Sequence, residues 1–151
     1  MPLSNGCNHV TILTADLDRF IEFYTQVFEA TVTLDLDEGG LRHALVDLGG
    51  GFTLHPFQLP ADAPNVSGSQ KMFQRGHIDH FAINFTDDKS FNEARRRLVD
   101  RGATQGRIRD FGVVEVMAFI DPDGMELELA RWKDGTALTM ANSKTYEFEP
   151  A

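Results

Sequence analysis

The sequence predicts an α+β protein made of two βαβββ modules in tandem. Three observations predict this fold. The segment that begins at His9 recurs 71 residues later at His80, with matching polar and apolar positions around each histidine. Further along, Gly51–His55 matches Gly124–Glu128 at an offset of 73, so one loop differs in length by two residues. Each half also shows one helical pattern followed by three strand patterns.

The first half begins with a short apolar run, residues 10–13, that predicts a buried strand. Alternating polar and apolar residues at 31–36 indicate a half-buried strand. Two more strands, at 44–48 and 52–57, flank a turn of three glycines. Between the first two strands, apolar residues recur at the spacing of one helix face. These residues are Leu17, Phe20, Ile21, Tyr24 and Phe28.

The second half repeats this order. A strand is predicted at 78–85, and Asp87 provides an N-cap for a helix that closes at Gly102. This helix is more polar than the first, with three consecutive arginines that indicate a solvated face. The remaining strands are predicted at 103–109, 113–120 and 125–132.

Composition sets the boundaries between these parts. We expect a first module at 5–58, a linker at 59–76, a second module at 77–133 and a C-terminal tail at 134–151. The linker region is rich in proline and serine, and loops longer than about 12–15 residues are usually functional or flexible. The tail lacks periodicity, and we expect it to pack across a surface or a partner subunit.

The overall composition excludes several classes of protein. With 42% hydrophobic and 25% charged residues, the chain of 151 residues is an ordinary globular sequence. A net charge of −9 argues against nucleic-acid binding and against docking on an anionic membrane. The single cysteine, Cys7, excludes an internal disulfide. No basic and apolar leader is visible, and no apolar run approaches the roughly 20 residues that span a bilayer, so we expect a cytoplasmic protein.

Four metal-ligand types fall at equivalent places in the two halves. His9 and His80 lie near the start of the first strand, whereas His55 and Glu128 lie on the last strand. Alternate side chains of a strand share a face, so correct parity is enough to bring such groups together. Imidazole and carboxylate groups suit divalent first-row metals. One histidine alone is more often packed than ligating, but the equivalent placement of all four predicts one mononuclear metal site.

Other polar residues have weaker support. His43 matches no ligand type in the second half, which indicates ordinary strand packing or a surface position. His77 has the wrong parity for the face of His80, so it is a strand-entry residue or contacts a ligand. Thr53 and Glu126 share the ligand parity, and each would replace a ligand if the register differed by two residues.

At this point the chain resembles the vicinal oxygen chelate superfamily. The resemblance rests on the Asn-His-Val opening at His9, on Phe20–Tyr24, and on the Asp121–Gly124 turn before Glu128. It covers about residues 5–133. The superfamily contains glyoxalase I, extradiol dioxygenases, methylmalonyl-CoA epimerase, fosfomycin-modifying enzymes and bleomycin-resistance proteins. It implies paired modules that form a cupped, glyoxalase-like half-barrel, often in a homodimer whose subunits share or swap modules.

The resemblance implies that His9, His55, His80 and Glu128 hold one divalent ion, such as Zn, Ni, Fe, Mn or Co. In the superfamily the ion chelates two vicinal oxygens of a small-molecule substrate. His55 departs from glyoxalase I and the epimerase, which usually carry a carboxylate or glutamine there. This departure weakens a specific assignment to glyoxalase I.

Three functions follow as expectations. The first is a metal-dependent lyase or isomerase, acting on a small, partly apolar substrate, in which Glu128 or His55 moves a proton. The second is an Fe(II) extradiol-type ring-cleaving dioxygenase that uses His9, His80 and Glu128, although such enzymes are usually longer. The third is a resistance-type protein that binds a drug or metabolite without catalysis.

Overall fold

A computed structural model describes residues 3–4, 7–65, 75, 78–134 and 143–150. Its contacts divide the chain into two units, residues 1–65 and 66–151. Each unit contains one mixed β-sheet and one α-helix, in the predicted order of strand, helix and three strands. The α+β prediction is therefore confirmed.

The first unit has a four-stranded sheet. Its elements are β1 (His9–Thr14), α1 (Leu17–Phe28), β2 (Thr31–Glu38), β3 (Leu41–Asp47) and β4 (Thr53–Gln58). The strand order is β1-β4-β3-β2, with β1 parallel to β4 and the other pairs antiparallel. The first and last strands of the repeat are therefore neighbours, and the register pairs Thr11 with His55.

One helix covers one face of this sheet. The Asp16 side chain caps α1 by accepting a hydrogen bond of 3.0 Å from the Arg19 backbone N–H. The helix ends at Glu29, which adopts the left-handed conformation with φ of 57°. The buried helix residues are Leu17, Phe20, Phe23, Tyr24 and Val27. They pack toward buried sheet residues, which include Ile12, Ala44, Val46 and Leu54.

The second unit repeats this plan with one additional strand. Its elements are β5 (Ala82–Phe85), α2 (Asp88–Asp100), β6 (Ile108–Asp110), β7 (Val114–Ile120), β8 (Glu126–Trp132) and β9 (Lys144–Tyr146). The strand order is β5-β8-β7-β6-β9, and β5 is parallel to β8. The helix is capped by Asp87, which accepts from the Ser90 N–H at 2.8 Å. Strand β9, from the tail, pairs with β6 along the sheet edge.

Two strands of the second unit are shorter than the sequence predicts. β5 begins at Ala82 instead of residue 78, although the Phe81 carbonyl already accepts the Glu128 N–H at 3.1 Å. β6 begins at Ile108 instead of residue 103. Before β6, the Thr104 hydroxyl donates a hydrogen bond of 2.7 Å to the Ala118 carbonyl on β7. A side chain thus makes the hydrogen bond that a backbone N–H makes in a regular strand pair.

Several predictions concern residues outside the described part of the chain. Most of the predicted linker falls there, as residues 66–74 and 76, and so does His77, the first residue of the predicted second module. Residues 135–142 of the predicted tail are outside it as well. Among the residues that are described, no helix is both long and apolar enough to cross a membrane.

Gly106 provides a test of how the tail packs. A Cβ at this position would lie 2.7 Å from Val99 Cγ2 and 2.8 Å from Phe148 Cβ, with φ of 73°. Gly102 has a similar φ of 68°, but a Cβ there meets nothing within 4 Å. Both substitutions with alanine incur the cost of a left-handed backbone, and only Gly106→Ala also overpacks.

We therefore expect Gly106→Ala to lower the free energy of unfolding by about 1–3 kcal/mol more than Gly102→Ala. Urea unfolding of both variants, followed by circular dichroism, measures the difference. Equal losses would contradict the close packing of Phe148 and Val99 around Gly106.

Candidate metal centre

The histidines of the first unit lie on the sheet face opposite α1, which we call its ligand face. The register pairs His9 with Thr53 and Thr11 with His55, so His9 and His55 share this face. Leu54, which lies between Thr53 and His55 on β4, is fully buried on the helix side of the sheet. The imidazole rings of His9 and His55 are 5.7 Å apart between centroids. Alternation along two parallel neighbours therefore brings the two predicted ligands together.

His43 is a third histidine on this face. Its Nδ1 lies 3.0 Å from the Nε2 of His55, and its Nε2 lies 3.8 Å from a carboxylate oxygen of Glu38. The sequence assigns His43 to ordinary packing because the second half has no matching ligand type. The signal that would find it is the β3–β4 register, which pairs His43 with Phe57, two residues beyond His55. Since one ring must donate and the other accept, the two tautomers are linked.

The surroundings of His55 favour the neutral imidazole. Burial lowers the pKa of His55 below its usual 6.5, and the nearby charges of His43 and His9 lower it further. The Phe57 ring lies 4.4 Å from the His55 ring and is stacked on His43 at 4.9 Å. A neutral imidazole is the form that binds a metal or accepts a proton. Phe57 adds an apolar surface beside it.

The second unit brings its two predicted ligands together. His80 Nε2 lies 3.5 Å from Glu128 Oε2. The register pairs Ala82 with Glu128, and His80 has the parity of Ala82. Both side chains are partly exposed, His80 at 32% and Glu128 at 24%. Glu126 also shares the parity of Glu128, so this ligand face of the second unit carries two carboxylates.

Each leading histidine is held by the residue before it. Asn8 Oδ1 lies 2.8 Å from His9 Nδ1, and Asp79 Oδ2 lies 2.9 Å from His80 Nδ1. These oxygens only accept hydrogen bonds, so each Nδ1 donates to the residue before it and Nε2 is the ring nitrogen that remains for other contacts. Oxygen acceptors of this kind commonly orient metal-binding histidines. Asn8 and Asp79 are themselves 71 residues apart, a signal that the sequence contains but that the ligand search did not use.

Glu128 lies in a partly buried position among several charges. Burial raises the pKa of Glu128 above its usual 4.5, and the nearby Glu126 raises it further. His80 and Arg109 lower it, but the net shift is upward. A raised pKa brings the carboxyl group closer to neutral pH, where it exchanges protons readily. Arg109, on β6, is a further charged residue that the sequence search did not single out.

The turn before β8 sets the start of the strand that carries Glu128. Asp121 Oδ1 accepts the N–H groups of Asp123 at 2.9 Å and Met125 at 2.8 Å. This side chain therefore replaces backbone partners in the turn. Asp121 is only 4% exposed, and burial raises its pKa to about 6.

Each unit by itself offers a pair of ligand types. In the described ranges, no three His, Cys, Asp or Glu side chains are grouped closely enough to hold a metal ion. The first unit brings His9 and His55 together, and the second brings His80 and Glu128 together.

The fold and these paired side chains define a class of protein made of two duplicated βαβββ modules. The chain matches the Glyoxalase/Bleomycin resistance protein/Dioxygenase superfamily over residues 6–129. This protein belongs to that superfamily, so the family resemblance seen in the sequence is confirmed.

Solved structures share the fold. A glyoxylase/bleomycin resistance protein/dioxygenase domain from Frankia sp. EAN1pec has a TM-score of 0.71 and 20% identity, covering 86% of this chain and 99% of that chain. The fosfomycin resistance protein FosX from Mesorhizobium loti has a TM-score of 0.56 and 20% identity, with 84% and 91% coverage. FosX from Listeria monocytogenes has a TM-score of 0.61 and 17% identity, with 87% and 96% coverage.

The Listeria protein has been solved with bound groups. One structure holds Mn(II) and a sulfate ion. A variant of the same protein holds Mn(II) and 1S,2S-dihydroxypropylphosphonic acid. At such low identity these likenesses establish the fold and leave the activity of this chain open.

Asp121 gives a pH-dependent prediction. Because its folded pKa of about 6 exceeds the usual 3.8, the folded state binds the proton more tightly than the unfolded state. This contribution to stability is complete below about pH 4 and is lost as the pH rises through about 6, by at most about 3 kcal/mol. Asp121→Asn, which stays neutral, should therefore remove that loss. Unfolding in urea between about pH 2 and 7, compared with wild type, measures it.

Asp87→Asn is the matched control with the opposite sign. The backbone N–H of Ser90 lowers the pKa of Asp87, so its contribution is present above the unfolded pKa and is lost as the pH falls through the folded pKa. Asp87→Asn should change the free energy of unfolding only at the acidic end of the pH range. If both variants changed it in the same part of the range, the burial of the Asp121 carboxyl group would be contradicted.

Proposed function

We propose that this protein is an enzyme that uses one divalent metal ion, held jointly by the ligand faces of its two repeats. The substrate is a small, partly apolar molecule that chelates the ion through two vicinal oxygens. The reaction is of the lyase or isomerase type and moves a proton next to a carbonyl group. The observation that supports this most is the matched pair of ligand types in each repeat, with the Nδ1 of the leading histidine held by the preceding residue in both.

The donor set suits such an ion. His9, His55 and His80 would supply nitrogen, and Glu128 would supply oxygen, a combination typical of Zn, Ni, Fe, Mn or Co. The Mn(II) in a relative of the same fold supports this choice. When bound, the ion would polarise a substrate oxygen as a Lewis acid. Among the described residues, neither unit groups three ligand types, so this proposal uses both repeats, from one chain or from two subunits of a homodimer.

The residues around the ion would move the proton. Burial raises the pKa of the Glu128 carboxyl group, which favours its role in giving or taking a proton. His55 is kept neutral by burial and is ready to accept one. His43 holds the His55 ring through the 3.0 Å contact and links its tautomer to its own. Phe57 provides the apolar contact for the substrate.

Metal content tests the ligand set. We expect His9→Ala and Glu128→Gln to reduce bound metal at least tenfold relative to wild type, about the smallest loss seen even when only a supporting partner of a metal ligand is removed. Glu126→Gln is the matched control, because it removes a carboxylate from the same face of the same strand. Inductively coupled plasma mass spectrometry on freshly purified protein measures the content.

The control also tests the register. If Glu126→Gln lost the metal and Glu128→Gln kept it, the assigned ligand would be wrong by two residues. Full metal content in both His9→Ala and Glu128→Gln would contradict the metal site itself.

A ring-cleaving Fe(II) dioxygenase is the second candidate, and the His43 contact favours it. If His55 Nε2 stays bonded to His43, only His9, His80 and Glu128 remain as ligands. Two histidines and one carboxylate form the facial set associated with non-haem iron oxygenases. In this case His55 and His43 would serve as the proton-transfer groups beside the substrate.

One pair of assays separates the candidates. For the lyase or isomerase, we expect solvent deuterium to enter carbon alpha to a carbonyl without oxygen uptake. His55→Asn should slow this exchange by about 10²-fold or more, because it removes a metal ligand and a proton-transfer group together. Protein loaded anaerobically with Fe(II) is then given a panel of catechols with oxygen. Oxygen uptake there would favour the dioxygenase, and tight ligand binding by metal-free protein without either reaction would favour a resistance-type binding protein.

A further inference from the structure

Arg109 lies on the same ligand face as Glu128. It is opposite Val116 in the β6–β7 pair, and Glu128 is opposite Ala118 in the β7–β8 pair. Val116 and Ala118 are two residues apart on β7, so their side chains share one face, and so do their cross-strand partners. Arg109 therefore lies two strands away from Glu128. The surface between them, which we call the floor, is formed by Val116 and Ala118 of β7.

The guanidinium group of Arg109 has no carboxylate partner among the described residues. It lies 5.3 Å from the centroid of the Phe111 ring, a cation–π contact with the residue that follows β6. Other arginines of this unit are used in ion pairs: Arg107 meets Glu147 at 2.9 Å, and Arg131 meets Glu115 at 2.7 Å. Arg109 is thus an exposed cation that packing orients but that no fixed anion neutralises.

The floor between Arg109 and Glu128 is low. Val116 and Ala118 have small side chains, and the Ala118 position is exposed. A small molecule bound near Glu128 can therefore extend over these residues toward Arg109. The chain as a whole carries −9, so an anionic molecule needs a local cation of this kind to approach.

We propose that Arg109 binds an anionic substituent, a carboxylate or a phosphonate, on the substrate whose vicinal oxygens the metal site chelates. The planar guanidinium matches these groups with two parallel hydrogen bonds. Phe111 keeps the guanidinium plane in position. This inference rests on the proposed function, because it assigns the substrate class of that same site.

The test uses three probes that share one chelating unit. Catechol has an uncharged ring, whereas 3,4-dihydroxybenzoate and 3,4-dihydroxyphenylphosphonate add the two candidate anions. Each probe is titrated into Mn(II)-loaded protein by isothermal titration calorimetry. Wild type should bind an anionic probe more tightly than catechol. Arg109→Gln should weaken that anionic probe about tenfold or more and should change catechol by less than about twofold.

Two further variants sharpen the result. Arg109→Lys keeps the charge without the planar fork and should retain part of the preference. Arg101→Gln removes an equal charge at the end of α2, which packs on the other face of the sheet, and should leave the preference intact. A similar loss in Arg101→Gln, or an equal effect of Arg109→Gln on all three probes, would overturn the role of Arg109.

The failure of the proposed function looks different. If wild type holds Mn(II) but binds no catechol, or if it holds no Mn(II), the chelating site is wrong and the inference falls with it. If catechol binds and Arg109→Gln leaves the anionic probes unchanged, only the inference is overturned. The stronger of the two anionic probes identifies whether the substituent is a carboxylate or a phosphonate.

Discussion

The parallel pairing of the first and last strands in each repeat is the constraint on which the rest depends. In both units these strands are separated in sequence by a helix and two strands, yet they are neighbours in the sheet. This pairing places His9 beside His55 and His80 beside Glu128 on the faces that the helices leave uncovered. Since the helices bury the opposite faces, the chain can place polar ligands here without losing core packing.

The electrostatics of the two pairs are complementary. Burial moves the pKa of His55 downward and that of Glu128 upward, so each group is drawn toward its neutral form. Groups with opposed shifts of this kind are common where acid and base roles are divided within one site. Asn8 and Asp79 add orientation, because each fixes which nitrogen of the following histidine carries the proton. The orientation of the histidines and the pKa shifts of His55 and Glu128 thus both favour the proposed proton transfer.

Much of the fold and part of the site can be predicted from the sequence, because both depend on local periodicity and on the internal repeat. The helices, the order of helices and strands along the chain and the ligand parity follow from residue spacing along one strand or helix. The roles of His43 and Arg109 depend on lateral register between strands that are far apart in sequence, which spacing does not encode. The late start of β5, just after His80, depends on hydrogen bonding to β8 in the same way.

The most direct measurement of the central claim is an anomalous difference map from crystals grown with Mn(II). The account predicts one strong peak per site, bound by imidazole nitrogens of His9, His55 and His80 and by Glu128 Oε, at distances of about 2.0–2.3 Å. The donors would come from both repeats, within one chain or across two subunits. A peak bound by one repeat alone, or imidazoles that turn their Nε2 atoms away from any common point, would contradict the account.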